Sequence, residues 1–208
     1  QVGYEEFEDY QVVSLELVRE FRDPQFMSKA KFSPVDSIFG VVVGDGTVKL
    51  FDANTGDLRA TLREQNELVT SLAFSPDGAS LLTGTKSGKL FLWNLAGPTS
   101  RLVGRLGDTA VARLDWDGDG LTAAWSLETP RGEDRSRMRG GIVDIATGSK
   151  IMEFEAGFRD DYQGIAMSPD GRIVVTRDAL GMERGACLFD ASDGSVLKNL
   201  VHRQYPSG

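Results

Sequence analysis

The sequence predicts an all-β protein made of four repeats of a four-stranded unit, and three observations carry that prediction. Two short residue marks recur in one register, apolar runs of strand length lie between them, and Gly, Pro, Asp and Asn fill the gaps. The first mark is Phe74-Ser75-Pro76-Asp77-Gly78, repeated as Met167-Ser168-Pro169-Asp170-Gly171. It returns in altered form as Phe32-Ser33-Pro34-Val35-Asp36 and Trp116-Asp117-Gly118-Asp119-Gly120. Its leading residues, 32, 74, 116 and 167, are 42, 42 and 51 positions apart. The second mark is Phe51-Asp52, Trp93-Asn94, Val143-Asp144 and Phe189-Asp190, at separations of 42, 50 and 46.

The second unit shows the pattern most clearly. Leu68 to Phe74 leads into a turn, and Ser80 to Thr85, Lys89 to Trp93 and Leu102 to Leu106 follow. Each run is near the usual strand length of about 5–6 residues. The Asp-Gly pairs at 77–78, 119–120 and 170–171 suit tight reversals, because glycine accepts a positive φ without a Cβ clash. Inner runs such as Leu90-Phe91-Leu92 and Ile173-Val174-Val175 are apolar throughout, as expected of strands buried on both faces. Units are therefore expected at 27–62, 68–106, 109–155 and 162–201, the third with an insertion at 128–139, and a tail at 202–208.

The run from Leu68 through Phe74-Ser75-Pro76-Asp77-Gly78 to Trp93-Asn94, and its relative ending in Gly46-Thr47-Val48-Lys49-Leu50-Phe51-Asp52, resembles the WD40 repeat. The resemblance covers roughly residues 27 to 201 and implies a WD40-like β-propeller with four blades. Asp45 holds the turn position the family gives to Asp, and Ser87 replaces it in the second blade. No copy carries the Gly-His pair expected before the first strand of a blade, since the one histidine is His202. The family's Asp-His-Ser/Thr-Trp network is therefore expected to be incomplete in every blade. Val12 to Phe21 reads as an outer strand of a preceding or partner blade within segment 1–26, with an amphipathic helix over 11–22 left open. Propellers close with about four to eight blades, so four units with apolar end faces point to an incomplete ring. A larger chain or another chain would complete it, two copies forming eight blades being one version.

Composition narrows the function. A net charge of −8 argues against a general nucleic-acid binder, which needs a basic surface. No apolar stretch is long enough for a membrane span, and the acidic first twenty residues do not read as a signal peptide. The single Cys187 allows no internal disulfide and fits a reducing cytoplasmic or other intracellular setting. No nucleophile elbow and no phosphate-binding Gly-rich loop is present, so no catalytic residue and no cofactor is assigned. Asp115-Trp116-Asp117-Gly118-Asp119-Gly120 opens like a calcium loop, but Ala123 and Ser126 stand where further ligands belong. It is read as a turn, and no metal is assigned.

The irregularities are insertions. Glu128 to Arg139 in the third unit and Arg177 to Arg184 in the fourth join second to third strands, which places both on one face of the disc. Arg131, Arg135, Arg137, Met138, Arg139, Met182 and Arg184, with Phe158 nearby, form the candidate partner-binding set. Arginine and methionine suit an acidic or amphipathic protein segment; a solvated loop is the alternative. The expected role is a non-catalytic protein–protein interaction scaffold, oligomeric or part of a larger assembly. Two other roles stay open: the propeller part of a larger enzyme or signalling protein, and a permanent structural subunit of an assembly.

Overall fold

A computed structural model describes residues 26–64, 66–128, 138–156, 164–178 and 185–201. Every regular element in them is a strand, and the strands form four antiparallel sheets of four. The first holds β1 (Met27–Phe32), β2 (Ile38–Val43), β3 (Val48–Asp52) and β4 (Leu58–Leu62). The second holds β5 (Val69–Phe74), β6 (Ser80–Thr85), β7 (Lys89–Asn94) and β8 (Thr99–Arg105). The third holds β9 (Val111–Trp116), β10 (Thr122–Leu127), β11 (Met138–Asp144) and β12 (Lys150–Ala156). The fourth holds β13 (Ile165–Met167), β14 (Ile173–Asp178), β15 (Gly185–Asp190) and β16 (Val196–Val201). Each sheet is a meander in chain order. The N-terminal segment 1–25, the tail and the core of the long insertions lie outside the described residues.

The two marks recur because each closes a turn. In the first, Ser75 Oγ donates to Asp77 Oδ1 (2.6 Å) and accepts from Ser80 N (2.9 Å), while Gly78 takes φ +67°. Ser168 and Asp170 repeat this arrangement. In the third sheet Asp117 replaces the serine, its two oxygens accepting from Leu121 N, Thr122 N and Thr122 Oγ1. The second mark ends in Asp or Asn because that side chain accepts the amides of the next turn: Asp52 from Asn54 and Thr55, Asp144 from Thr147, Asp190 from Ser192. Asn94 does the same for Ala96, and β8 pairs from Thr99, three residues earlier than the apolar run at Leu102 suggests.

Consecutive sheets pack face to face. Val42, Val48, Leu50 and Leu62 of the first meet Val69, Leu72, Phe74 and Trp93 of the second. Trp125, Leu114 and Val143 of the third meet Leu82 and Leu90 of the second. Met152 and Phe154 of the third meet Met167, Val174, Cys187 and Phe189 of the fourth. The first strands β1, β5, β9 and β13 neighbour one another in turn and mark the axis. Among the described residues no packed interface joins the fourth sheet to the first, and the four blades form an unclosed ring. Phe32, Phe74, Trp116 and Met167 hold one repeat position; the last three are 8 %, 9 % and 8 % exposed against the preceding sheet, whereas Phe32 is 68 % exposed.

Candidate functional site

Meander topology sends the connections after first and third strands to one face and those after second and fourth strands to the other. The long connections β10–β11 and β14–β15 belong to the second face, here the insertion face. Of the residues nominated from sequence, Met138 and Arg139 fall inside β11, paired with Ala156 and Glu155, and Arg139 is exposed. Strand β11 thus begins before the expected end of the insertion, and Arg177 and Asp178 likewise close β14. Arg131, Arg135, Arg137, Phe158, Met182 and Arg184 lie outside the described residues.

The inner strands carry a bulge at one repeat position. Pairing skips Thr70 in β5 and Ala112 in β9, and β1 shifts register between Met27 and Ala30. Lys29 Nζ spans the arc and donates to Thr70 O (2.7 Å) and to Ala112 O (2.8 Å), tying three blades. Arg113 Nη1 shares the Ala112 carbonyl at 2.8 Å. Thr70 Oγ1 adds a bond to Val111 O at 2.9 Å. Burial, and after it the charge of Arg113, bring the Lys29 pKa down to about 8, with Glu128 acting in opposition. Neither cation forms an ion pair among the described residues. Glu128 opens the β10–β11 insertion, its amide on Ala110 O, so this axial mouth lies on the insertion face. Sequence reading missed the pair, although Lys29, Ser71 and Arg113 stand at steps of 42.

The family network is rebuilt from other residues. Trp93 Nε1 donates to Thr83 Oγ1 at 3.0 Å, which keeps the Ser/Thr–Trp half in the second blade. Glu67, just before β5 where the histidine is expected, accepts from Ser87 Oγ (2.7 Å) and Lys89 Nζ (2.5 Å). Burial pushes its pKa up, but the bonds from Lys89, Ser87 and Thr85 prevail and hold it below the ordinary value. In the first blade Asp45 caps Thr47 and meets Arg63 at 2.6 Å. The Asp115 carboxylate of the calcium-like run accepts Met167 N at 2.8 Å, fastening β13 to β9.

Comparison with known proteins agrees with this geometry. The family model of the WD domain, G-beta repeat (WD40) matches residues 56–94, from the turn before β4 through β7. Echinoderm microtubule-associated protein-like 2 of Rattus norvegicus is 28 % identical over 185 residues, covering 78 % of this chain. The guanine nucleotide-binding protein subunit beta of Oryza sativa subsp. indica is 34 % identical over 113 residues, 48 % of the chain. Actin-interacting protein 1 of Drosophila melanogaster is 26 % identical over 162 residues, 75 % of the chain. The chain spans only 28 %, 30 % and 25 % of the lengths of these relatives. Among solved structures, Kuenenia stuttgartiensis Hydrazine Synthase superposes with a TM-score of 0.62 at 19 % identity, over 82 % of this chain and 47 % of its own, a likeness of fold alone. The matched repeat, the recurring sheet topology and the aligned relatives make this chain similar to WD40-repeat proteins, with a WD40-like β-propeller fold.

Proposed function

We propose that the chain is a non-catalytic interaction scaffold whose insertion face receives an acidic or amphipathic segment of a protein partner. The observation that carries this reading is the axial pair Lys29 and Arg113, two cations on one carbonyl without an ion-paired carboxylate among the described residues. A partner carboxylate placed between them relieves their mutual repulsion and offsets the desolvation of Lys29. The arginines of the 128–139 insertion extend the same positive surface in this reading. The buried thiol of Cys187 suits an intracellular setting. Exposure of Phe32, where its repeat equivalents are covered, favours further blades beyond β1, supplied by more of the same chain or by another.

The test is fluorescence anisotropy with an acidic amphipathic probe peptide of alternating Glu and Leu. Binding should weaken as salt is raised past about 0.15 M. Lys29→Gln with Arg113→Gln, and separately Arg131, Arg135, Arg137 and Arg139→Glu, should each weaken it at least ~10-fold, since close charge pairs across an interface are worth that much. Unchanged affinity in both variants overturns the reading.

A further inference from the structure

The opposite end of the axis carries its own cup. Residues at one level of all four inner strands, Lys31 and Phe32, Phe74, Trp116 and Met167, line an open, shallow cup of about 340 Å³. Pro34, Pro76 and Pro169 rim it at one repeat position, and Gly118 takes the fourth place. That glycine has no room for a side chain, because a Cβ would lie 2.4 Å from Pro169 O, the carbonyl its own amide donates to at 2.7 Å. The rim is therefore built by the repeat rather than by a chance gap between loops.

Its polar groups are unequally committed. Asp115 accepts Met167 N, Asp117 accepts Leu121 and Thr122, and the Trp116 indole donates to Ala73 O at 3.0 Å. Lys31, at the same repeat position as Asp115, is exposed, and its ammonium has no hydrogen bond or ion pair among the described residues. The site thus offers an apolar wall, one available ammonium, the Asp117 carboxylate engaged by three donors and the Asp115 carboxylate tied to β13 through one oxygen. The volume lies near the lower end of the range of about 300–1,000 Å³ seen for ligand pockets, enough for a short group but not for a folded segment.

We propose that this cup binds the C-terminal residue of a peptide ending in an aliphatic side chain, with the side chain on Trp116, Phe74 and Met167 and the free carboxylate on Lys31. A terminal residue presents both groups on one Cα, matching an ammonium beside an apolar wall. This site is separate from the insertion face and stands or falls independently of it.

The test uses the full 208-residue chain and N-acetyl-leucine as the probe, followed through the indole N–H resonances of Trp93, Trp116 and Trp125. Saturable movement of the Trp116 resonance is expected while Trp93 and Trp125, buried between sheets, stay in place and report an intact fold. N-acetyl-leucinamide, lacking the charge, should bind at least ~10-fold more weakly, because a charge-assisted bond is lost. Lys31→Gln should reduce N-acetyl-leucine to the amide's affinity, whereas Phe32→Ala should weaken both probes alike. The proposal is overturned by no saturable shift at Trp116, by equal affinity for acid and amide, or by a Lys31→Gln variant that still prefers the acid. Lys29→Gln and Arg113→Gln, on the other mouth, should leave the titration unchanged.

Discussion

Lys29 concentrates the electrostatics of the molecule in one side chain. Its ammonium is partly withdrawn from water, held by two carbonyls of neighbouring blades and repelled by Arg113. For a lysine whose folded pKa lies below the unfolded one, the charged form is penalised at all pH below the folded value. Stability then rises between about 8 and the unfolded value near 10.4, where the unfolded chain binds more protons. We predict that after ¹³C reductive methylation the Lys29 resonance titrates near pH 8. Arg113→Ala should move that midpoint upward; a midpoint unchanged by this variant would show that Arg113 does not act on Lys29. Glu67 has the opposite sign. Its depressed carboxyl stabilises the fold above the unfolded value of about 4.3, and that contribution disappears as pH falls through the folded pKa. Glu67→Gln should cost about 1–3 kcal/mol at pH 7 by breaking the bonds to Lys89 and Ser87. Urea unfolding should also show a shallower loss of stability below pH 5 in the variant, and parallel acid curves would count against the network.

At the level of elements, the third blade shows how a repeat keeps its core while exchanging its parts. Trp125 on β10 occupies the repeat position of Thr83, 42 residues on, and Val143 occupies that of Trp93. The aromatic bulk has moved one strand inward. It fits because Gly141 stands directly opposite Trp125 in the β10–β11 register, where a Cβ would meet Met152 O at 2.1 Å and Trp125 Cζ2 at 3.0 Å. The indole Nε1 finds no hydrogen-bond partner among the described residues, and the Lys150 ammonium lies 5.4 Å from the ring centroid. Gly141→Ala should therefore destabilise the chain by about 1–3 kcal/mol through overpacking. Gly97→Ala, with nothing within 4 Å, should stay within about 0.5 kcal/mol, as surface changes usually do. Equal midpoints for the two variants in thermal unfolding would refute the exchange. What could be read from sequence follows from the same distinction. Turn chemistry is local, so Ser75-Pro76-Asp77-Gly78 and the Asp and Asn caps revealed strand order and blade count without any long-range knowledge. The Trp125–Gly141 exchange depends on cross-strand register, and the seat of Lys29 depends on carbonyls 41 and 83 residues away. Neither leaves a contiguous pattern, although the spacing of Lys29, Ser71 and Arg113 held a trace of the second.

For the whole molecule, the decisive comparison is between equivalent faces. Phe74, Trp116 and Met167 are each buried against the preceding sheet, while Phe32 presents its ring on the corresponding face, tilted against Phe39, which stacks on Phe51, at centroid distances of 5.5 Å. At the other end, Ile173, Val175 and Leu188 share the face turned away from the third sheet and are only half-buried. Their immediate neighbours Val174, Cys187 and Phe189 are buried against that sheet. Large apolar side chains that stay exposed or only half-buried at both ends of a stack of blades invite further stacking, because burying the remaining apolar area is favourable at roughly 25 cal/mol per Å². We therefore predict that the isolated chain self-associates at micromolar concentration, with light scattering giving a mass above that of one chain. Lysine substitution at Phe32 together with Val175 should return it to the monomer while leaving the strand signature of its circular dichroism intact. A stable monomer of the unsubstituted chain would mean that these faces need no neighbour, and would remove the case for further blades. Association abolished by Phe32→Lys alone would localise the join to the first sheet. If both substitutions are required, each end joins to its own kind, as separate end-to-end contacts of blades would.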